Sequence, residues 1–217
     1  TRDLHKKLVI GSALASLSAL VAVSAVAVSQ QAVPVMVGVP TQVGAADELL
    51  NRVFLSPKDA ERGARLGLLP EGVRSILKVQ KMLRHGEFEW DDIGIPSGKL
   101  VIRVDVDRQL LSVFRGGHEI GTAVILYGVD GKATPIGRFP IKAKIADYHS
   151  RTYDAPMPYT LWLTDDGVAV HGSSVRSGRA TNGCVGVPID FARHLFAVAN
   201  VGDQVEIVSS RPLTTES

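Results

Sequence analysis

Cysteine occurs once in the 217 residues, at Cys184. That excludes a disulfide framework within the chain and any metal site built on paired thiolates. Net charge is nearly lacking as well. The 24 basic and 22 acidic side chains leave a formal +2, and no run of Lys or Arg concentrates it. A chain so balanced lacks the electrostatic footprint of a nucleic-acid binder, so no nucleic-acid partner is expected. Internal repeats are absent, and the one biased segment is an Ala/Val/Ser run near the start. At 45% hydrophobic there is ample material for a core, and the length suits one domain with appendages.

Charge is missing altogether from one long stretch. Arg2, Lys6 and Lys7 precede residues 8–29, 22 uncharged residues rich in Leu, Val, Ala and Ser, and no further charge comes before Asp47. A basic segment followed by an apolar one is an export signal, with its positive charge retained inside. Ala25-Val26-Ala27 offers the small-x-small cleavage site of a removable signal peptide, whereas the length of the run suits an uncleaved anchor. Both readings of residues 1–29 stand. The expectation is a protein exported to the periplasm or cell envelope, tethered to the inner membrane if the segment is retained. A lone thiol in that compartment is awkward unless its reactivity is the point. Residues 30–46, broken by Pro34, Gly38, Pro40 and Gly44, read as a linker.

Residues 47–98 read as a helical prelude. Residues 48–54 suggest one helix. Ser56 as N-cap, Pro57 in the first turn and Asp59 and Glu61 behind it start a second. After the break at Pro70 and Gly72, the stripe Val73, Ile76, Leu77, Gln80 and Leu83 suggests a third. Such helices could form a small wall-recognition module, but docking onto the following domain is the favoured reading. His85, near Glu87, Glu89, Asp91 and Asp92, reads as part of a solvated acidic loop rather than a metal site.

From Leu100 the apolar period switches to two. Strands are expected over 100–106, 110–115, 119–127, 138–143, 159–164, 168–171 and 204–208, with a helix over 189–200. This is a mostly-β domain over 99–209, followed by a short tail, 210–217.

Residues 168–188, VAVHGSSVRSGRATNGCVGVP, hold the chemistry. An alternating segment delivers His171, a Gly/Ser/Arg-rich loop follows, and Thr181-Asn182-Gly183-Cys184 closes the stretch. A lone Cys downstream of a strand-borne His is the layout of a thiol nucleophile with its base. The thiol, ordinarily a few per cent ionised at neutral pH, gains from a neighbouring imidazole. Gly183 allows a tight turn that aims backbone N–H groups at a developing oxyanion. A nearby backbone carbonyl can hold the second ring nitrogen of His171, which Gly172 follows, and fix its tautomer without an Asp. The alternative for these two residues alone is a buried small hydrophobe and a satisfied strand histidine.

His171-Gly172 followed by Thr181-Asn182-Gly183-Cys184 resembles the signature of the L,D-transpeptidase catalytic domain, the YkuD family. Thr134-Pro135-Ile136-Gly137 and Met157-Pro158-Tyr159 extend the resemblance upstream. It implies a mixed β-sandwich with a helix after the catalytic Cys. It also implies an exported enzyme in which Cys184 is the nucleophile and His171 the general base and acid. Asn182, Gly183 and Gly172 would then shape or orient the oxyanion site. The substrate implied is a peptidoglycan stem tetrapeptide, attacked at its third, diamino-acid residue with loss of D-Ala. Resolution by a stem amine makes a 3→3 cross-link, water makes the site an L,D-carboxypeptidase, and a protein amine anchors a protein to the wall. No metal or organic cofactor is implied, and no ligand spacing supports a site on His149, His171 and Cys184. Asn182 stands where the family often has His or a basic residue, and Gly186 where it often has Arg or Asn. Tyr159 is expected to line the donor groove, and Arg176 and Arg179 to pair with a stem carboxylate. His194 reads as a packing or surface residue. A non-catalytic wall-binding module on the same fold is the alternative class. A papain-like peptidase is excluded by order, since there the Cys comes first.

Overall fold

A computed structural model describes residues 51–128, 132–177 and 180–210. The expected export segment and linker, and the tail beyond residue 210, lie outside these.

The described elements run β1 (Arg52–Phe54), α1 (Pro57–Arg65), β2 (Ser75–Leu77), β3 (Phe88–Trp90), β4 (Leu100–Asp105), β5 (Leu110–Arg115), β6 (His118–Val124), β7 (Gly137–Pro140), β8 (Ala143–Ser150), β9 (Ala155–Trp162), β10 (Ala169–Ser173), β11 (Val185–Pro188), α2 (Ile189–Val198) and β12 (Gln204–Val208). They form two sheets. One has the order β1-β2-β6-β5-β4-β12-β7, with β3 also paired to β6, and the other is β11-β10-β9-β8. The chain is therefore mostly β, with a helix directly after the strand that follows Cys184.

Period-two alternation explains the central strands. Leu100, Ile102 and Val104 of β4 and Leu111 and Val113 of β5 are buried, and the intervening side chains are partly exposed. These residues share one core with Leu161, Val170, Val185 and Val187 of the second sheet and with Phe191 and Leu195 of α2. Helix α2 begins with Asp190 in its first turn and buries Phe191, Ala192 and Leu195. At its other end Lys144 of β8 donates to the Phe196 carbonyl at 2.7 Å and to that of Ala199. A cation is thus placed on the negative end of the helix.

The prelude departs from the helical expectation in two of its three segments. Helix α1 does form, with Ser56 accepting from the Asp59 N–H at 3.2 Å and Pro57 at its start. Residues 52–54 and 75–77, however, are strands of the large sheet. Val73, Ser75 and Leu77 are buried at period two, a repeat masked in the sequence by Ile76 beside them. The partners that decide the matter are distant. Arg52 donates to the Glu119 and Asp91 carbonyls, and the Leu77 N–H donates to the Glu119 carboxylate at 2.9 Å. Tertiary pairing overrides local periodicity here. Among the described residues no helix is long and apolar enough to cross a membrane.

Candidate active site

Strands β10 and β11 are parallel neighbours, with Val170 opposite Val185 and His171 opposite Gly186. Cys184 immediately precedes β11, so it lies two register positions from His171, on the same face of the sheet. Both line a cavity of about 420 Å³, together with Tyr148, Met157, Trp162 and Ser173.

His171 is almost fully buried, and its Nδ1 stands 2.9 Å from the Gly172 carbonyl oxygen. Nδ1–H donates to that oxygen, which leaves Nε2 as the unprotonated, basic nitrogen. Burial pushes the imidazole pKa down, and the Gly172 hydrogen bond pulls it partly back. A glycine is needed at 172 for packing as well. A Cβ there would meet the ring and carbonyl of Pro158 at 3.1 Å and the methyl of Ala192, on α2, at 3.4 Å.

Cys184 is 9% exposed, and its Sγ–H donates to the Gly167 carbonyl at 3.5 Å. Burial pushes the thiol pKa up. The Ala169 backbone amide and the Lys132 charge draw it down, and Asp166 raises it further. The resting pair is thus neutral thiol and neutral imidazole. The gain from the imidazole comes as base assistance at the moment of attack, not as a standing thiolate.

The turn ahead of Cys184 is held on every side. Gly183 has φ +92°, in the region that favours glycine. The Thr181 hydroxyl donates to the Cys184 carbonyl, and the Thr181 N–H donates to Tyr127 at 3.1 Å. Gly128 approaches so closely that a Cβ on it would stand 2.5 Å from the Gly183 nitrogen. The Lys132 methylenes lie over Gly183, 3.2–3.4 Å from where its Cβ would be. Gly186 is likewise built in. It exchanges backbone hydrogen bonds of 2.8 and 2.9 Å with Leu126, and a Cβ on it would stand 3.0 Å from the Ser173 Cβ. A side chain at this strand position would have to push the Ser173 side chain aside by a few tenths of an ångström.

Of the residues singled out in the sequence, Cys184, His171 and Asn182 line the cavity, and Gly172 and Gly183 hold the first two in place. Tyr159 is not brought there. Its backbone is left-handed, φ +58°, and its ring packs on Phe196 at 5.8 Å, with the core rather than the groove. Arg176 is exposed and lies outside the cavity lining, and Arg179 lies outside the described residues. His149 is exposed, 3.7 Å from Asp154, and also lies outside the lining. His194 stacks on Trp90 at 5.2 Å.

Other lining residues escaped the sequence reading, among them Lys132, Asp166, Trp162 and Tyr148, the last two meeting edge to face at 5.1 Å. Two of these had a local signal. Lys132 stands just before the Thr134-Pro135-Ile136-Gly137 turn, and Asp166-Gly167 is a turn dipeptide directly ahead of the strand that bears His171.

The family model described as the L,D-transpeptidase catalytic domain, YkuD, matches residues 99–207. Among solved structures, the chain is similar to an L,D-transpeptidase from Stackebrandtia nassauensis, with 24% identity over 55% of this chain and 60% of that one, TM-score 0.49. An L,D-transpeptidase from Mycobacterium smegmatis is 22% identical over 52% of this chain and 59% of that one, TM-score 0.48. L,D-transpeptidase 1 of Mycobacterium tuberculosis is 25% identical over 51% of this chain and 61% of that one, TM-score 0.44. The match thus spans about three fifths of the length of those structures. No curated protein matches the chain.

Proposed function

Since the chain belongs to the L,D-transpeptidase catalytic-domain family, we propose that it is an exported enzyme that exchanges amide bonds in peptidoglycan stem peptides through a thioester on Cys184. The observation that carries this reading is the placement of Cys184 and His171 on adjacent parallel strands, facing one cavity, with His171 Nδ1 tied to the Gly172 carbonyl. That bond leaves Nε2 free to take a proton.

In the first half-reaction His171 Nε2 accepts the Sγ proton as sulfur attacks the carbonyl of the third, diamino-acid residue of a tetrapeptide. The carbonyl oxygen gains charge and is met by backbone N–H groups of the Asn182-Gly183-Cys184 turn. The C–N bond then breaks, the imidazolium returns its proton to the departing amine of D-Ala, and the acyl group remains as a thioester. In the second half-reaction an amine from another stem attacks the thioester carbon, His171 takes the amine proton, and sulfur leaves and is reprotonated. One amide is lost and one gained, so the exchange needs no oxidant, metal or organic cofactor. Dividing it in two gives each step a lower barrier than direct aminolysis. The neutral resting pair suits this route, because the proton moves only once substrate is in place.

The test is incubation of the full chain with a disaccharide-tetrapeptide, with Cys184→Ala as control, followed by product mass spectrometry. Loss of D-Ala with a cross-linked dimer, absent in the control, is expected. Loss of D-Ala without dimer marks the site as a carboxypeptidase or one whose acceptor was not supplied. No acyl-enzyme at all leaves a wall-binding module.

A further inference from the structure

Among the described residues, the cavity at Cys184 carries two formally charged side chains, Lys132 and Asp166. Their placement is specific to the nucleophile. The Lys132 stem passes beside the Gly183 turn, 3.2–3.4 Å from where a Cβ on Gly183 would stand. Its ammonium donates to the Asp166 carbonyl at 3.1 Å, with the Asp166 carboxylate 3.7 Å away. The next carbonyl, that of Gly167, is the one that accepts the Sγ–H of Cys184. The Lys132 side chain thus touches two segments next to the nucleophile, the Gly183 turn and the Asp166-Gly167 turn.

We propose that Lys132 is a specificity residue that receives the free C-terminal carboxylate of the donor peptide, with Asp166 as its resting partner, an assignment that rests on the acyl-transfer reading above. A single leaving amino acid places its carboxylate one residue beyond the scissile carbonyl, and the Lys132 side chain lines the same cavity as the nucleophile. Among the described residues considered for this task, Arg176 is exposed off the cavity and Gly186 offers no side chain. The resting pair is suited to exchange. Its side chains are 41% and 70% exposed, so the contact is weak and water-screened, and a ligand carboxylate can replace it with little loss. Thr164 holds Oδ1 of Asp166, and so keeps the carboxylate in place when Lys132 turns to substrate. When the leaving amino acid departs, Lys132 returns to Asp166.

The test compares two synthetic tetrapeptide donors, one ending in a carboxylate and one in a carboxamide, by the rate of Cys184 acylation in the full chain. Wild type should favour the carboxylate donor by about 10- to 100-fold in kcat/KM, the range of one charge-assisted hydrogen bond, with most of the difference in KM. Lys132→Met keeps the stem over Gly183 and should bring the ratio near one by slowing the carboxylate donor. Lys132→Arg should restore much of the preference. Asp166→Asn, which removes the competing carboxylate and keeps the backbone contact, should lower KM for the carboxylate donor alone. A wild-type ratio near one, or a preference that survives Lys132→Met, overturns the assignment while leaving the acyl-transfer reading intact. If a folded wild type acylates with neither donor, that reading falls and the assignment with it. Should Lys132→Met melt early, Asp166→Asn decides, and an unchanged KM for the carboxylate donor counts against Lys132.

Discussion

Gly183→Ala separates the chemistry of the Cys184 turn from its stability. Gly183 has φ +92°, and an Ala forced into the left-handed region carries a penalty of roughly 1–2 kcal/mol. The new methyl would stand 3.2–3.4 Å from the Cγ, Cδ and Cε of Lys132, a flexible side chain that can shift, so steric contact adds little. The stability loss should therefore stay near that figure, and Tm should fall by about 2–8 °C for a chain of this size. Acylation should suffer far more. If the backbone amides of the turn are the proposed oxyanion donors, relief of the strained φ rotates them, and loss of one such donor lowers kcat by about 10²–10³-fold. The assay is the rate of Cys184 acylation by a tetrapeptide donor, followed by intact mass alongside a thermal melt. A variant that melts several degrees early yet acylates within threefold of wild type would refute the oxyanion role of this turn.

Gly186→Asn should destabilise by about 1–3 kcal/mol, because its Cβ meets the Ser173 Cβ at 3.0 Å. Chemical denaturation checks this. Lys144→Met should lower stability by about 1–2 kcal/mol through loss of the cation at the end of α2, measured in the same way. With pH, His171 is held below the ordinary histidine value of about 6.5, so acylation should persist through neutrality and fall only at pH below that ordinary range. Alkylation of Cys184 by iodoacetamide in His171→Ala should rise only above the ordinary thiol value of about 8.5, since burial raises its pKa. The folded pKa values of His171 and of His118, also lowered by burial, lie below those of the unfolded chain. The stability this supplies is present at neutral pH and drains away as pH falls from the ordinary histidine range through the folded values, a trend an acid titration of Tm would show.

The central strands were legible because one face of each is buried and the other is not, which writes period two into the sequence of β4 and β5. Helix α2 was legible from Pro188 and from its buried stripe at Phe191, Ala192 and Leu195. Strand β8 was not anticipated. It is the edge of the smaller sheet, and most of its residues are exposed or half-exposed, so it has no apolar alternation to read. Strand β11 is only VGVP, and glycine and proline there look like a turn; its burial comes from β10 and Leu126. The prelude strands failed for a related reason, since Arg52 and Glu119 settle their pairing from 67 residues apart. At the site, a backbone carbonyl as the partner of the second His171 nitrogen was legible, and the fold identifies it as that of Gly172. Lys132 and Asp166 were not, because only folding brings them beside Gly183 and Gly167.

The central claim is that Cys184, with His171 as its base, accepts the acyl group. The most direct measurement is peptide mapping by mass spectrometry of the full chain after brief exposure to a tetrapeptide donor, beside Cys184→Ala and His171→Ala. The account predicts a single adduct, the donor less D-Ala, on the peptide containing Cys184. It should be absent in Cys184→Ala and at least 10²-fold slower to appear in His171→Ala, the lower range of general-base assistance. An adduct that survives Cys184→Ala, or one that forms at the wild-type rate without His171, would contradict it.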